Sequence, residues 1–143
     1  MTIKVTLAAA AVFACFALPA GAADKTGTMT SPDEMKCKEF APGTGVDLCV
    51  LWGNRDKGEY AMMVRIPAGF AAPIHAHTGD YHGINVAGVW RHSFDGGEER
   101  DLPPGSYVFQ PGSGFHGDAC VGPEDCILFI HQHTKGDFIP KPE

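Results

Sequence analysis

The chain has 143 residues, with 11 basic and 17 acidic side chains and a formal net charge of −6. No basic cluster is present that could follow a phosphate backbone, which excludes a nucleic-acid partner. The length is that of a single domain once any leader is set aside.

Residues 1–23 carry the marks of an export signal. Lys4 supplies the positive start, Val5 to Leu18 is apolar and alanine-rich, and Pro19-Ala20-Gly21-Ala22 is a small-x-small cleavage pattern. The cut is expected before Ala23 or Asp24. The apolar run falls short of a membrane span of about 20 residues. A lipidated Cys15 is a weaker alternative. The expected location is periplasmic or secreted, with no membrane partner after signal removal. Loss of Lys4 leaves ten basic residues against seventeen acidic ones, a mature charge of about −7.

Export changes how cysteine reads. Cys37, Cys49, Cys120 and Cys126 remain, and in an oxidising compartment an even number implies disulfides. Four cysteines allow three pairings. The turn signal Val121-Gly122-Pro123-Glu124-Asp125 between Cys120 and Cys126 favours that pair, which leaves Cys37–Cys49. Thiolate metal ligation lacks the Cys-x-x-Cys spacing it needs.

Residues 24–45 are polar and read as a flexible lead-in. The domain proper spans 46–143. Strand-like runs follow at Val46–Trp52 and at Tyr60–Ile66, where Tyr60, Met62, Val64 and Ile66 alternate with other residues. Further runs are Pro73–His77, Tyr81–Ala87, Val89–Ser93, Ser106–Gln110, Phe115–Ala119 and Cys126–His133. Asp95-Gly96-Gly97 is a hairpin turn. No segment offers ten residues of helical periodicity. Many short strands separated by Gly/Pro turns predict an all-β sandwich or barrel. Trp52, Trp90, Phe94, Phe109, Phe115 and Phe129 are assigned to the core, with Phe109 and Phe115 near enough to His116 to line a pocket.

His75-Ala76-His77 is the chemically informative step. On a strand, residues i and i+2 share a face, so both imidazoles can reach one metal ion. An isolated pair is equally what an exposed loop carries. A third histidine, His116, lies 39 residues after His77. Around these three the chain resembles the cupin family. Its first motif is matched at Gly69, His75, His77 and Gly88, and its second at Gly105, Pro111 and His116. The detail around Trp52-Gly53, Pro67-Ala68-Gly69, His77-Thr78, Asp80-Tyr81 and Gly105-Ser106-Tyr107 is most similar to small ChrR-like and DUF4437-type cupins.

The resemblance implies a double-stranded β-helix, or jelly-roll barrel. It also implies one divalent transition metal on His75, His77 and His116. Fe, Zn, Mn, Ni and Cu are not distinguished by imidazole ligands. Three protein ligands leave at least one open position, as in catalytic sites. Some ChrR-like cupins with three-histidine iron cleave carbon–carbon bonds in diketones or hydroxyketones. The implied activity is therefore oxygenase-type, on a small ketone or phenolic molecule. The alternative is a non-catalytic metal- or small-ligand-binding module. A homodimer paired through sheet edges is a family habit.

The chain departs from the motifs at three positions. Tyr81 stands at the position of the usual glutamate, Ser113 replaces the second-motif glycine, and Cys120 replaces the closing asparagine. Tyr81, His82 and Asp80 are the candidates for the fourth site or its surroundings. Tyr81 reads as a hydrogen-bonding neighbour, because its phenol ionises near pH 10. Asp95 and Glu98 are more distant candidates for a carboxylate. His82 as a general base, and His131 with His133 reaching the pocket, are set against plain surface roles. His92 reads as structural or exposed, and Phe138 as packing over the barrel's end. Neutral histidine is needed for metal binding, so occupancy is expected to fall below about pH 6.5.

Overall fold

The computed structural model describes residues 27–142. The expected signal peptide, 1–23, lies outside the described residues. Among the described residues there are eleven strands: β1 (Cys37–Glu39), β2 (Asp47–Gly53), β3 (Tyr60–Ile66), β4 (His75–Ala76), β5 (Tyr81–Ala87), β6 (Trp90–Phe94), β7 (Glu99–Leu102), β8 (Tyr107–Gln110), β9 (His116–Cys120), β10 (Cys126–Gln132) and β11 (Ile139–Pro140). Among the described residues the helical content is one 3-10 turn at Pro32–Glu34, so no helix there is long and apolar enough to cross a membrane.

Two antiparallel sheets face each other. One has the order β1-β2-β3-β10-β5-β8 and the other β11-β4-β9-β6-β7. This is the jelly-roll barrel expected from the motifs. Alternation builds the core. β10 buries Cys126, Leu128, Ile130 and Gln132 and turns the residues between them outward. β3 adds Tyr60, Met62, Val64 and Ile66, and Trp90 reaches in from the opposite sheet. Gly88 has φ +74°, and a side chain there would stand 2.6 Å from the Asp125 carbonyl oxygen. Only glycine tolerates both that conformation and that approach.

The expectation of an unstructured 24–45 fails for its later part. β1 pairs with β2 in the register Cys37↔Cys49, and that pair is a disulfide. The second disulfide joins Cys120 to Cys126 across the Val121–Asp125 turn. A cross-link to a neighbouring strand orders a polar segment that composition alone would leave free. β1, β7 and β11 are short and carry no apolar alternation, which is why periodicity did not reveal them.

Trp52, Phe94 and Phe109 are exposed rather than core residues. Trp52 and Phe109, with Val50, Ile84, Val86 and Tyr107, leave the outside of the six-stranded sheet unusually apolar.

Candidate metal centre

The three motif histidines meet at the mouth of the barrel. His75 opens β4 and pairs directly with His116, which opens β9. His77 follows one turn of the alternation later on the same face. One ring nitrogen from each residue lies within 4.8 Å of those of the other two.

Hydrogen bonds set the tautomers. Nδ1 of His75 donates to the Pro73 carbonyl at 2.8 Å. Nδ1 of His77 donates to the Asp137 carbonyl at 2.6 Å, and Nδ1 of His116 to the Gly114 carbonyl at 3.1 Å. A carbonyl only accepts, so each proton sits on Nδ1 and each Nε2 presents a lone pair. This is the arrangement that orients histidine toward a metal.

Asp118 is the residue that sequence reasoning missed. It lies two positions after His116 on β9, so it shares that residue's face. Its Oδ2 is 3.5 Å from Nε2 of His116 and 3.8 Å from Nε2 of His75. Its Oδ1 accepts from Trp90 Nε1 at 2.8 Å and from His92 Nδ1 at 2.9 Å. His92 in turn reaches Gln110 Oε1 at 3.3 Å. The carboxylate absent from β5 is therefore present on β9, held by two donors. The signal was available as His-x-Asp at the same period-two spacing as His75-x-His77.

Burial sets the electrostatics. It is the leading cause that lowers His116 from its ordinary value to about 4, against the opposing charge of Asp118. Burial also lowers His77. Burial alone would raise Asp118, but the hydrogen bond and charge of His92, with His116 and His75, hold it below the usual carboxylate range. Tyr81 is buried, with its ring 5.5 Å from His77 and 5.7 Å from His116. Burial first, and then Asp118 and Tyr60, push its phenol well above its ordinary value, so Tyr81 stays a neutral neighbour of the centre.

A divalent cation fits these residues. Nε2 of His116 is buried without a hydrogen-bond partner. Opposite it stands a carboxylate oxygen, so two lone pairs face each other, a repulsion that a cation between them removes.

The other candidates do not join the centre. Tyr81 points inward, so its neighbours on the strand point away. Asp80 accepts from the Gly112 amide at 2.6 Å and ties two loops together. His82 is hydrogen-bonded to the Tyr107 hydroxyl at 2.7 Å on the outer face. Asp95 pairs with Lys141 and Glu98 with Arg100, both at the surface. His131 and His133 bond Glu59 outside the barrel. His92 is buried and structural, through Asp118.

The centre opens onto a cavity of about 300 Å³ walled by Met62, Val64, Leu128, Ile130, Trp90 and Phe138. Phe138 stacks on His75 with ring centroids 4.1 Å apart and planes 18° from parallel, and also meets Phe40 at 5.3 Å. Phe109 and Phe115 are absent from the walls.

Solved structures share this architecture. KdgF from a Halomonas species is 22% identical, with a TM-score of 0.61 over 74% of this chain and 94% of that one. The polyketide cyclase RemF from Streptomyces resistomycificus is 14% identical, with a TM-score of 0.68 over 82% and 87%. The DMSP lyase DddQ from Ruegeria pomeroyi is 21% identical, with a TM-score of 0.57 over 68% of this chain and 56% of that one. At such identities the likeness is one of fold. No curated protein matches in sequence. The sequence model of the ChrR cupin-like domain matches residues 25–135, and the chain belongs to that cupin family.

Proposed function

We propose that this cupin is an exported, mononuclear-metal enzyme of the oxygenase type, acting on a small ketone or phenolic molecule. The single observation that carries this reading is the convergence of three Nε2 lone pairs beside an apolar cavity that His75 and His77 line. His75, His77 and His116 would hold one divalent transition metal. When bound, the metal would supply Lewis acidity and open positions on the cavity side, and with iron also reactivity toward O₂.

The chain's own residues account for the rest. The aliphatic wall of Met62, Val64, Leu128 and Ile130 excludes water and takes the apolar body of a substrate. That body is oriented with its oxygen atoms toward the histidines. Asp118, fixed by Trp90 and His92, presents its other oxygen beside the histidines, where it would help to hold the metal. Neutral Tyr81 can donate a hydrogen bond. Two disulfides support export to an oxidising compartment. The apolar outer sheet face supports a homodimer.

A second reading, a non-catalytic periplasmic metal- or ligand-binding module, is favoured by the absence of the family's glutamate. Elemental analysis of natively exported protein, purified without metal-affinity resin, tests the shared premise. Wild type is expected to hold about one transition metal per chain more than a His75/His77/His116 alanine triple variant. O₂ consumption with diketones by the anaerobically iron-loaded protein separates the two readings. Metal bound without turnover on such a panel leaves the binding module.

A further inference from the structure

A second group of metal-ligating side chains lies on the opposite face of the six-stranded sheet. Glu59 immediately precedes β3. Because Tyr60 pairs with Gln132, Glu59 faces His133 across the ladder, and His131 lies diagonally beside it. The His131-Gln132-His133 spacing puts both rings on the outer face, whereas Gln132 points inward. Their rings stand 4.5 Å apart at 72°.

One oxygen serves both rings. Glu59 Oε1 is 3.0 Å from His131 Nε2 and 2.9 Å from His133 Nδ1. The hydrogen bonds from His131 and then His133 hold the Glu59 carboxyl below its ordinary range. His131 is confined between Trp52, with ring centroids 5.6 Å apart, and His82, at 6.4 Å. The cluster is thus assembled before any ion arrives, and three donor atoms already lie within 4.8 Å of one another.

We infer that Glu59, His131 and His133 form a second, solvent-facing site for one borderline divalent transition ion, Cu(II) or Zn(II), independent of the inner histidines. Two imidazoles and one carboxylate suit these ions, whereas Mg(II) and Ca(II) prefer oxygen alone. The ion takes the place of the two ring protons that now point at Glu59, so His131 binds through Nε2 and His133 through Nδ1. In each neutral ring the proton moves to the other nitrogen as the ion binds, a tautomer shift that leaves the ring neutral. The side away from the sheet stays open to water or to a ligand from another molecule.

The test compares tag-free mature protein with His131→Ala/His133→Ala and with Glu59→Gln, each dialysed to equilibrium against equal free Cu(II), then Zn(II). Glu59 and His133 are exposed and His131 is half-buried, and circular dichroism checks that the fold is kept. Wild type should hold one ion more per chain than the double variant, and Glu59→Gln should weaken that ion about tenfold or more. Equal metal content in wild type and double variant overturns the site. So does Glu59→Gln binding as tightly as wild type. The readout is a difference between proteins with identical interiors, so it holds whether or not the inner histidines carry an ion.

Discussion

Asp118 Oδ2 faces Nε2 of His116 across 3.5 Å, and that nitrogen has no other polar partner and no solvent. With the His116 proton held on Nδ1 by Gly114, neither atom has a hydrogen to share. The pair makes sense as two sides of a cation site. Asp118→Asn should therefore weaken the inner metal by about 10- to 100-fold. Asparagine keeps an oxygen for Trp90, so the fold should survive. Competition against a chelator of known affinity measures the change, and wild-type affinity in the variant would remove Asp118 from the site.

The metal-free protein should lose stability as pH falls from about 6.5 to about 4. His116 is lowered to about 4 in the fold, while the unfolded chain takes up its proton near 6.5. The unfolded state thus binds more protons through that window, and stability rises with pH across it. The cost of acidification from this residue is on the order of 3 kcal/mol. His77 is lowered as well and acts in the same direction. Asp118 is also lowered, but its contribution is lost only below the ordinary carboxylate range. Melting temperatures of chelator-treated protein should decline through this window, and His116→Asn should flatten the profile. For the loaded protein, proton competition begins lower than the ordinary histidine value suggests, because burial already disfavours the imidazolium.

Most of the fold was legible because its signals are local. Tyr60–Ile66 alternates in the sequence, Tyr81–Ala87 is bounded by turn residues, and both form strands with those bounds. The resemblance to the cupin motifs implied that His75, His77 and His116 meet, and their ring nitrogens do lie together. Asp118 was not read although its His-x-Asp spacing put it on the face of His116; its place beside His75 depends further on the pairing of β4 with β9, which that spacing does not encode. Asp137 and Phe138 hold two of the three rings from beyond residue 135, where the family match ends. Trp52 and Phe109 failed as core residues because alternation assigns a face without saying which face is covered.

Ser113 stands where the family places glycine, and it keeps the glycine conformation, with φ +62°. The loop demands it, since the Ser113 amide donates to the His77 carbonyl at 2.7 Å. A left-handed non-glycine residue costs about 1–2 kcal/mol, and a glycine loses part of that gain through unfolded-state entropy. Ser113→Gly should stabilise the protein by roughly 0.5–1 kcal/mol, measured as a rise in the denaturant midpoint at unchanged slope. A fall in midpoint would mean that the serine side chain supports the loop.

The residues after Lys135 should separate metal binding from ligand binding. The Asp137 carbonyl holds His77 Nδ1, and the Asp137 carboxylate accepts from the Thr78 amide at 2.9 Å. Phe138, by contrast, touches the site through the face of His75 and a wall of the cavity. Truncation after Lys135 removes the acceptor that fixes the His77 tautomer, so metal affinity should fall by about tenfold or more. Phe138→Ala leaves that acceptor in place. Its effect should fall on apolar ligands, which lose about one partly buried ring of contact, roughly tenfold in affinity. Metal titration and binding of an apolar fluorescent probe, run on both variants, give the comparison. If Phe138→Ala weakened the metal as much as the truncation does, stacking on His75 rather than the Asp137 carbonyl would be the means by which this segment supports the centre.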